Sequence, residues 1–265
     1  MKALVFDMDG VLVDPTRSYR QTLIDTVRHF SGYELTQERI VEIKHEGGYN
    51  DLLPLGMRVL AEAGANVQVA AFTECFQRLF WGADCDGLIR EDRWLVQDGA
   101  LERLRSVYRL AIYTGRPMRS ARLAVERFAP TIGFDPILTS DDVENLKPAP
   151  DGLLKMAELL PGAELIYVGD NIDDVRCART AGVPFIGVAA PDRHRRAEIE
   201  GLFRREGALA VVSCVEELEG VLDSLDTARP LIEQAHDICQ NHLDSIDKDA
   251  ARITDLVADL HRQIS

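Results

Sequence analysis

The stretch ALVFDMDGV at residues 3–11 joins a run of four apolar residues directly to two aspartates and a glycine. Short apolar runs bounded by turn residues are typical of buried parallel strands. Four more such runs follow at Leu110 to Tyr113, Pro136 to Leu138, Leu165 to Val168 and Phe185 to Val188. Helical stretches lie between them at Met118 to Phe128, Gly152 to Leu160 and Asp173 to Ala181. This alternation predicts an α/β fold with a doubly wound, Rossmann-like parallel sheet.

Polar residues lie just after three of the predicted strands. These residues are Asp7, Thr114 and Asp170. Ligands of doubly wound sheets bind beyond the carboxyl ends of the strands. We therefore expect the three segments to converge on one crevice.

Asp7 and Asp9 are two residues apart, where the chain must turn at Gly10. In the functional interpretation, Asp7 is a nucleophile on phosphorus. Asp9 then protonates the leaving oxygen and afterwards activates water. The alternative interpretation is that exposed strand ends tolerate acids without any catalytic role.

The segment GDNIDD at residues 169–174 ends another predicted strand with a cluster of acids. Without a cation these acids would repel one another. Mg²⁺ prefers a few carboxylate oxygens, which makes Asp7 and Asp170, with Asp174 nearby, a chemically sensible site. Asp173 is better explained as an acid that stabilises the N-terminus of the following helix.

Two further segments carry groups that suit phosphate. Thr114-Gly115-Arg116 offers a hydroxyl and backbone amides at a strand-to-helix turn. Lys147 precedes a proline that stiffens its turn, and it could hold phosphate and offset the charge of Asp7.

Together these motifs resemble the haloacid dehalogenase superfamily: DMDGV at 7–11, Thr114, Lys147-Pro148 and GDNIDD at 169–174. The resemblance covers residues 1–14 and about 95–190, and the segment between is similar to the helical cap of phosphoglycolate phosphatase-like members. It implies that Asp7 is the nucleophile, Asp9 the acid and base, and Thr114, Gly115 and Lys147 phosphate binders. It implies Mg²⁺ bound by Asp7, the backbone carbonyl of Asp9 and Asp170, with Asp174 as a supporting acid. The expected activity is that of a phosphatase acting on a small phosphorylated metabolite.

Alternatives remain within the same superfamily. A phosphonoacetaldehyde hydrolase needs a cap lysine for a Schiff base, and Lys44 is the one lysine of the insertion. A phosphosugar mutase shares every core motif. A different class of protein, a non-catalytic scaffold that dimerises through its tail, is disfavoured by the complete set of acids.

Residues 15–94 interrupt the alternation of strands and helices. Helical spacing without strands occurs at Tyr19 to Phe30, Gln37 to Ile43, Leu52 to Ala63 and Val67 to Phe80. This predicts a helical cap domain at 15–94 and an α/β core domain at 1–14 and 95–226. Such a cap could exclude water and choose the substrate. The candidates for substrate specificity are Arg17, Lys44, Tyr49, Asn50 and Arg116.

The tail at residues 227–265 has apolar residues spaced alternately three and four apart, which is a heptad pattern. They are Cys239, Leu243, Ile246, Ala250, Ile253, Val257, Leu260 and Ile264. This predicts a long C-terminal helix that either packs along its own core or forms a homodimer.

The composition of the chain argues against binding to nucleic acid or lipid and against zinc sites, disulfides and membrane spans. With 44 acidic against 30 basic residues, the chain should repel nucleic acid and anionic lipid. The five cysteines form no C-x-x-C pair, which argues against a zinc site or a disulfide framework. No apolar run is long enough for a signal peptide or a membrane span, so we expect a cytoplasmic protein.

Overall fold

The computed structural model describes residues 1–49, 51–191 and 195–227. Its strands are β1 (Lys2–Phe6), β2 (Val13–Asp14), β3 (Arg93–Trp94), β4 (Arg109–Tyr113), β5 (Ile137–Leu138), β6 (Glu164–Gly169), β7 (Phe185–Val188) and β8 (Ala210–Val212). Its helices are α1 (Tyr19–Ser31), α2 (Gln37–Glu46), α3 (Leu52–Glu62), α4 (Val69–Trp81), α5 (Ala100–Arg105), α6 (Met118–Phe128), α7 (Asp151–Leu159), α8 (Ile172–Ala181) and α9 (Arg196–Arg205).

The main sheet of the described chain is parallel, with strand order β5-β4-β1-β6-β7-β8. Central β1 pairs with β4 and β6, so that Phe6 lies between Ile112 and Val168. The apolar residues of β1 are all 0% exposed, as expected for a parallel strand covered on both faces. The predicted α/β fold and its five strands are confirmed. Strand β8 was not predicted, because it has only three residues and two of them are partly exposed.

The strand order explains why the polar segments converge. Strands β4, β1 and β6 are adjacent and parallel, so their carboxyl ends meet at one edge of the sheet. Thr114, Asp7 and Asp170 follow these three strands. One crevice therefore receives all three side chains.

Helices α1 to α4 lie between β2 and β3, which pair antiparallel with Val13 opposite Trp94. The chain thus leaves and re-enters the α/β region through a two-stranded ribbon. The inserted helices bury a cluster of their own that includes Leu23, Ile40, Leu55 and Phe72. They coincide with the predicted helical stretches, while the division of the chain into core and cap domains stays a prediction.

One compact unit spans Met1–Leu218 and a second begins at Glu219. The predicted heptad helix from Pro230 onward and the homodimer built on it lie outside the described residues, as does Asn50. Among the described helices, none combines the length and the apolar character needed to cross a bilayer.

Candidate active site

Asp7 is the first residue after β1, and its side chain is buried. Its N–H donates to the carbonyl of Val168 at 2.8 Å, which extends the pairing of β1 with β6 by one residue. The chain then turns at Gly10, whose φ is 80°. A Cβ at this position would collide with the carboxylate of Asp170. Glycine is therefore needed both for the backbone conformation and for the close approach of the two segments.

The ammonium of Lys147 lies between two buried carboxylates. Its Nζ donates to Asp7 Oδ1 at 3.0 Å and to Asp174 Oδ1 at 2.9 Å. Burial disfavours the ammonium, but Asp174 and Asp7 outweigh burial and hold the pKa of Lys147 above its usual value. Burial also raises the pKa of Asp7 to about 7, although Lys147 opposes the rise. In this arrangement the cation is permanent, whereas the charge of Asp7 can change near neutral pH.

Asp174 accepts four hydrogen bonds. Its Oδ1 accepts from Lys147 and from the Tyr167 hydroxyl at 3.0 Å, and its Oδ2 accepts from the N–H groups of Asp170 at 3.0 Å and Asn171 at 3.1 Å. A carboxylate has about four acceptor positions, so these donors fill them. Asp174 consequently fixes both Lys147 and the turn that presents Asp170.

Carboxylate oxygens of Asp7, Asp170 and Asp174 lie within 4.8 Å of one another. Three acids this close can share a cation, and oxygen is the ligand that Mg²⁺ prefers. The chemistry of these donors therefore suits a hard divalent ion.

The guanidinium of Arg116 is buried between two acids. Its Nε and one terminal nitrogen donate to Asp9 Oδ1 at 2.8 and 2.5 Å. The terminal nitrogens donate to Asp92 at 2.6 and 3.2 Å, and Asp92 also accepts from the Ser18 hydroxyl. Burial would lower the pKa of Arg116, but Asp9 and Asp92 outweigh it and raise that pKa. The guanidinium thus holds Asp9 in place. Its hydrogen bonds go to Asp9 and Asp92, so it is better explained as a positioning residue than as a substrate contact.

Asp92 and Ser18 were missed by the sequence reasoning. Asp92 is 24 residues from Arg116 and 74 from Ser18, and no local pattern links them. Both lie at the ends of the helical insertion, just before β3 and just before α1. Asp92 and Ser18, which hold the Arg116 guanidinium against Asp9, therefore lie at the two ends of the insertion.

Thr114 and Gly115 follow β4. The Thr114 side chain is buried, and its oxygen accepts from the Arg116 N–H at 3.2 Å. Its hydroxyl proton is still able to donate, as a phosphate oxygen would require.

A cavity of about 20 Å³ lies at the centre of these groups, which is room for about one water molecule. Its walls are Asp7, Asp9, Tyr19, Lys44, Thr114, Gly115, Arg116, Asp170 and Asn171. Lys147 does not line this cavity, but it contacts Asp7, which does. The insertion contributes Tyr19 and Lys44 to these walls, so it helps to limit the space beside Asp7.

The specificity candidates from the insertion separate into two groups. Lys44 lines the cavity, and burial together with the charge of Arg20 lowers its pKa. Arg17 is exposed and lies 3.8 Å from Glu91, away from the cavity.

The loop after α2 touches α8 rather than the cavity. Both carboxylate oxygens of Asp173 accept from the Gly48 N–H, each at 2.9 Å. The Arg58 guanidinium lies over the Tyr49 ring, with its central carbon 5.2 Å from the ring centroid. Tyr49 does not line the cavity. The Asp173 carboxylate thus bonds the loop after α2, and this contact ties the insertion to α8.

Comparisons with known proteins agree with this geometry. Residues 1–182 match the family described as haloacid dehalogenase-like hydrolase. The chain is 31% identical to a Phytophthora nicotianae protein named imidazoleglycerol-phosphate dehydratase, over 76% of this chain but only 46% of that relative's length. It is 26% identical to a phosphoglycolate phosphatase of Rhodobacter capsulatus, over 69% of this chain and 82% of that protein. A phosphonoacetaldehyde hydrolase-like protein from Oleispira antarctica shares the fold, with a TM-score of 0.64, 17% identity and coverage of 86% and 93%.

Proposed function

This chain belongs to the haloacid dehalogenase-like hydrolase family, and we propose that it is a phosphatase that uses Asp7 to take phosphate from a small metabolite. The observation that carries the proposal is the buried contact of Asp7 with Lys147, beside Asp170, at the ends of adjacent strands. A carboxylate held against a fixed cation can approach an anionic phosphoryl group that would otherwise repel it. The relative named phosphoglycolate phosphatase supports the same reaction class.

The first chemical step is displacement at phosphorus. An Asp7 oxygen forms a bond to phosphorus, while the bond from phosphorus to the leaving oxygen breaks. Asp9 gives its proton to that leaving oxygen. Arg116 donates to Oδ1 of Asp9. In the described part of the chain no hydrogen bond reaches Oδ2 of Asp9. We therefore assign Oδ2 as the oxygen that carries the proton. Lys147 and the Thr114 hydroxyl hold the phosphoryl oxygens.

The second step releases phosphate. Asp9, now ionised, takes a proton from a water molecule that attacks phosphorus from the side opposite Asp7. The bond between Asp7 and phosphorus breaks, inorganic phosphate leaves, and Asp9 is protonated again for the next cycle.

Mg²⁺ fits this acid cluster, and we assign Asp7 and Asp170 as its carboxylate ligands. Bound there, Mg²⁺ would neutralise charge on the phosphoryl oxygens. Asp174 already accepts four hydrogen bonds, so we assign it as the support of Lys147 and of the 170–171 turn. The predicted cytoplasmic location stays a prediction.

Phosphate release from a panel of phosphorylated metabolites, with Mg²⁺ and after exhaustive EDTA treatment, tests the proposal. We expect release that EDTA abolishes and added Mg²⁺ restores. Release that is unchanged by EDTA would contradict the metal assignment. A folded protein that releases no phosphate from any compound, acetyl phosphate included, would contradict the phosphatase assignment.

Lys44 favours one second candidate, the hydrolysis of phosphonoacetaldehyde. Lys44 lines the cavity, and its lowered pKa favours the neutral amine, which can form a Schiff base with an aldehyde. Borohydride reduction in the presence of phosphonoacetaldehyde separates the candidates. Covalent labelling of Lys44 would support the second, and a protein that remains unlabelled would exclude it. The mutase and scaffold alternatives gain no comparable observation from the described residues.

A further inference from the structure

A second cavity, of about 180 Å³, lies within the helical insertion and against the core loop that follows Arg116. We call it the aromatic chamber, because its walls include Tyr19, Phe72, Phe76, Phe80 and Trp81, with Pro117 on the core side. Rings from two helices pack around one of its corners: the Tyr19 ring is edge-on to Phe76 at 5.1 Å and to Phe80 at 5.2 Å. The chamber is thus a preformed, mainly apolar space.

Tyr19 is a wall of both the aromatic chamber and the catalytic cavity. Burial raises its pKa, and the charges of Asp51 and then Asp9 raise it further. On the core side, Arg116 lines the catalytic cavity and Pro117, the next residue, lines the chamber. The chamber therefore begins on the Asp9 side of the catalytic cavity, where the proposed mechanism sends the leaving alcohol.

The size of the chamber matches a ring. An engineered protein cavity of about 150 Å³ binds benzene, so the volume here admits a five- or six-membered ring. Aromatic walls favour another aromatic group through offset or edge-on contacts. The remaining wall includes Asp51, Thr73 and Gln77, which accommodate a polar edge on such a ring.

We propose that the aromatic chamber receives a ring carried by the leaving alcohol, so that the substrate is a phosphomonoester of an alcohol that bears an aromatic or heteroaromatic ring. This inference rests on the proposed phosphatase function and makes its substrate class specific. Purely polar leaving groups, such as a sugar, glycolate or a second phosphate, would leave the chamber unfilled. Binding energy from the ring, which lies away from the reacting phosphorus, would help to orient the ester.

Two esters that differ only by a ring test the inference. Ethyl phosphate and 2-phenylethyl phosphate both release primary alcohols, and acetyl phosphate serves as an activated compound without a ring. With Mg²⁺ present, we expect kcat/KM for 2-phenylethyl phosphate to exceed that for ethyl phosphate by about 10- to 100-fold, since a well-filled apolar pocket discriminates on this scale. Hydrolysis of acetyl phosphate with equal kcat/KM for the two esters would overturn the chamber assignment and leave the phosphatase standing. Failure with all three compounds would overturn both.

Two tryptophan variants test whether the preference for 2-phenylethyl phosphate arises in the chamber. Leu53 lines the chamber, whereas Leu79 is partly buried on another face of the insertion, beside Cys75 and Arg78. Leu53→Trp should bring the ratio of the two kcat/KM values close to one, because the indole fills the chamber. Leu79→Trp should keep the wild-type ratio. Both kcat/KM values are measured on the same protein sample, so a smaller folded fraction lowers both equally and leaves their ratio unchanged. A wild-type ratio in Leu53→Trp would overturn the inference.

Discussion

The catalytic floor, which we define as Asp7, Lys147, Asp170 and Asp174, and the aromatic chamber hold their side chains by opposite means. In the floor, charged groups are buried and fixed by charged hydrogen bonds such as those of Lys147 to Asp7 and Asp174. In the chamber, most of the wall consists of aromatic rings held by packing, such as the Tyr19 ring edge-on to Phe76 and Phe80. Loss of a charged group from the floor leaves a buried charge without its partner, whereas replacement of a chamber ring alters the shape of an apolar wall. We therefore expect substitutions in the floor to impair catalysis, and substitutions of the chamber rings to change selectivity.

The largest expected effect is that of Asp7→Asn. The amide cannot form the phosphoryl bond, so kcat for phosphate release should fall by about 10⁴-fold or more, as for other nucleophile deletions. The exposed residue Asp98 offers a matched control, and Asp98→Asn should behave as wild type. Asp7→Asn with substantial activity would remove the covalent mechanism.

Lys147→Met should destabilise the protein as well as slow phosphate release. Removal of the cation leaves Asp7 and Asp174 facing each other in a buried site, which should lower the free energy of unfolding of the metal-free protein by about 3 kcal/mol. Urea unfolding measures this difference. Lys155→Met removes a partly buried lysine that donates to the carbonyl of Asp142 and pairs with no acid among the described residues, so it should cost much less. Equal losses in the two variants would show that the buried pairing adds nothing.

Arg116→Met should distinguish a positioning role from a merely structural one. Asp9 then loses the donors that fix its Oδ1, so esters that need a protonated leaving group should suffer most. We expect kcat/KM to fall by about 100-fold for an alkyl phosphate but by less than about tenfold for p-nitrophenyl phosphate, whose leaving group needs no acid. The exposed Arg122→Met is the control. A uniform loss across both esters would point to general disruption instead.

Mg²⁺ binding should depend on pH because burial raises the pKa of Asp7 to about 7, from 3.8. The protonated form is favoured in the fold, so this group makes the metal-free protein less stable as pH rises from about 4 to about 7, with no further change above. A metal ligand must be ionised, so Mg²⁺ affinity should increase by up to about tenfold per pH unit below 7 and level off above it. Calorimetric titrations at several pH values measure this. A slope that persists in Asp7→Asn would assign it to another group.

The smallest effect is expected for Arg17→Ala. The Arg17 side chain is 58% exposed, and its pairing with Glu91 is long and open to solvent. Exposed ion pairs of this kind contribute little to stability. Because Arg17 also does not line the cavity, kcat/KM should change by less than about twofold for every ester. A change in the ranking of the esters would restore Arg17 as a specificity residue.

The same contrast explains what the sequence could and could not predict. Asp7 and Asp170 follow strands, and Asp174 lies in the first turn of α8, so local patterns place these three acids of the floor. Lys147 lies in a loop, and the Lys-Pro pair is its local signal. Tyr167 donates a hydrogen bond to Asp174 of the floor, yet inside a buried strand it looks like any packing residue. No local pattern joins Asp92 to Arg116, and the chamber depends on how separate helices pack. Long-range packing is therefore the part that needed the structure.

Direct detection of the covalent intermediate tests the central claim. Wild-type protein mixed with acetyl phosphate and Mg²⁺, quenched in acid within milliseconds and digested at low pH, is examined by mass spectrometry. We predict one transient phosphoryl group on the peptide that contains Asp7, and none in Asp7→Asn. Phosphate release by wild type with no phosphoryl group on Asp7 at any time point would contradict the account.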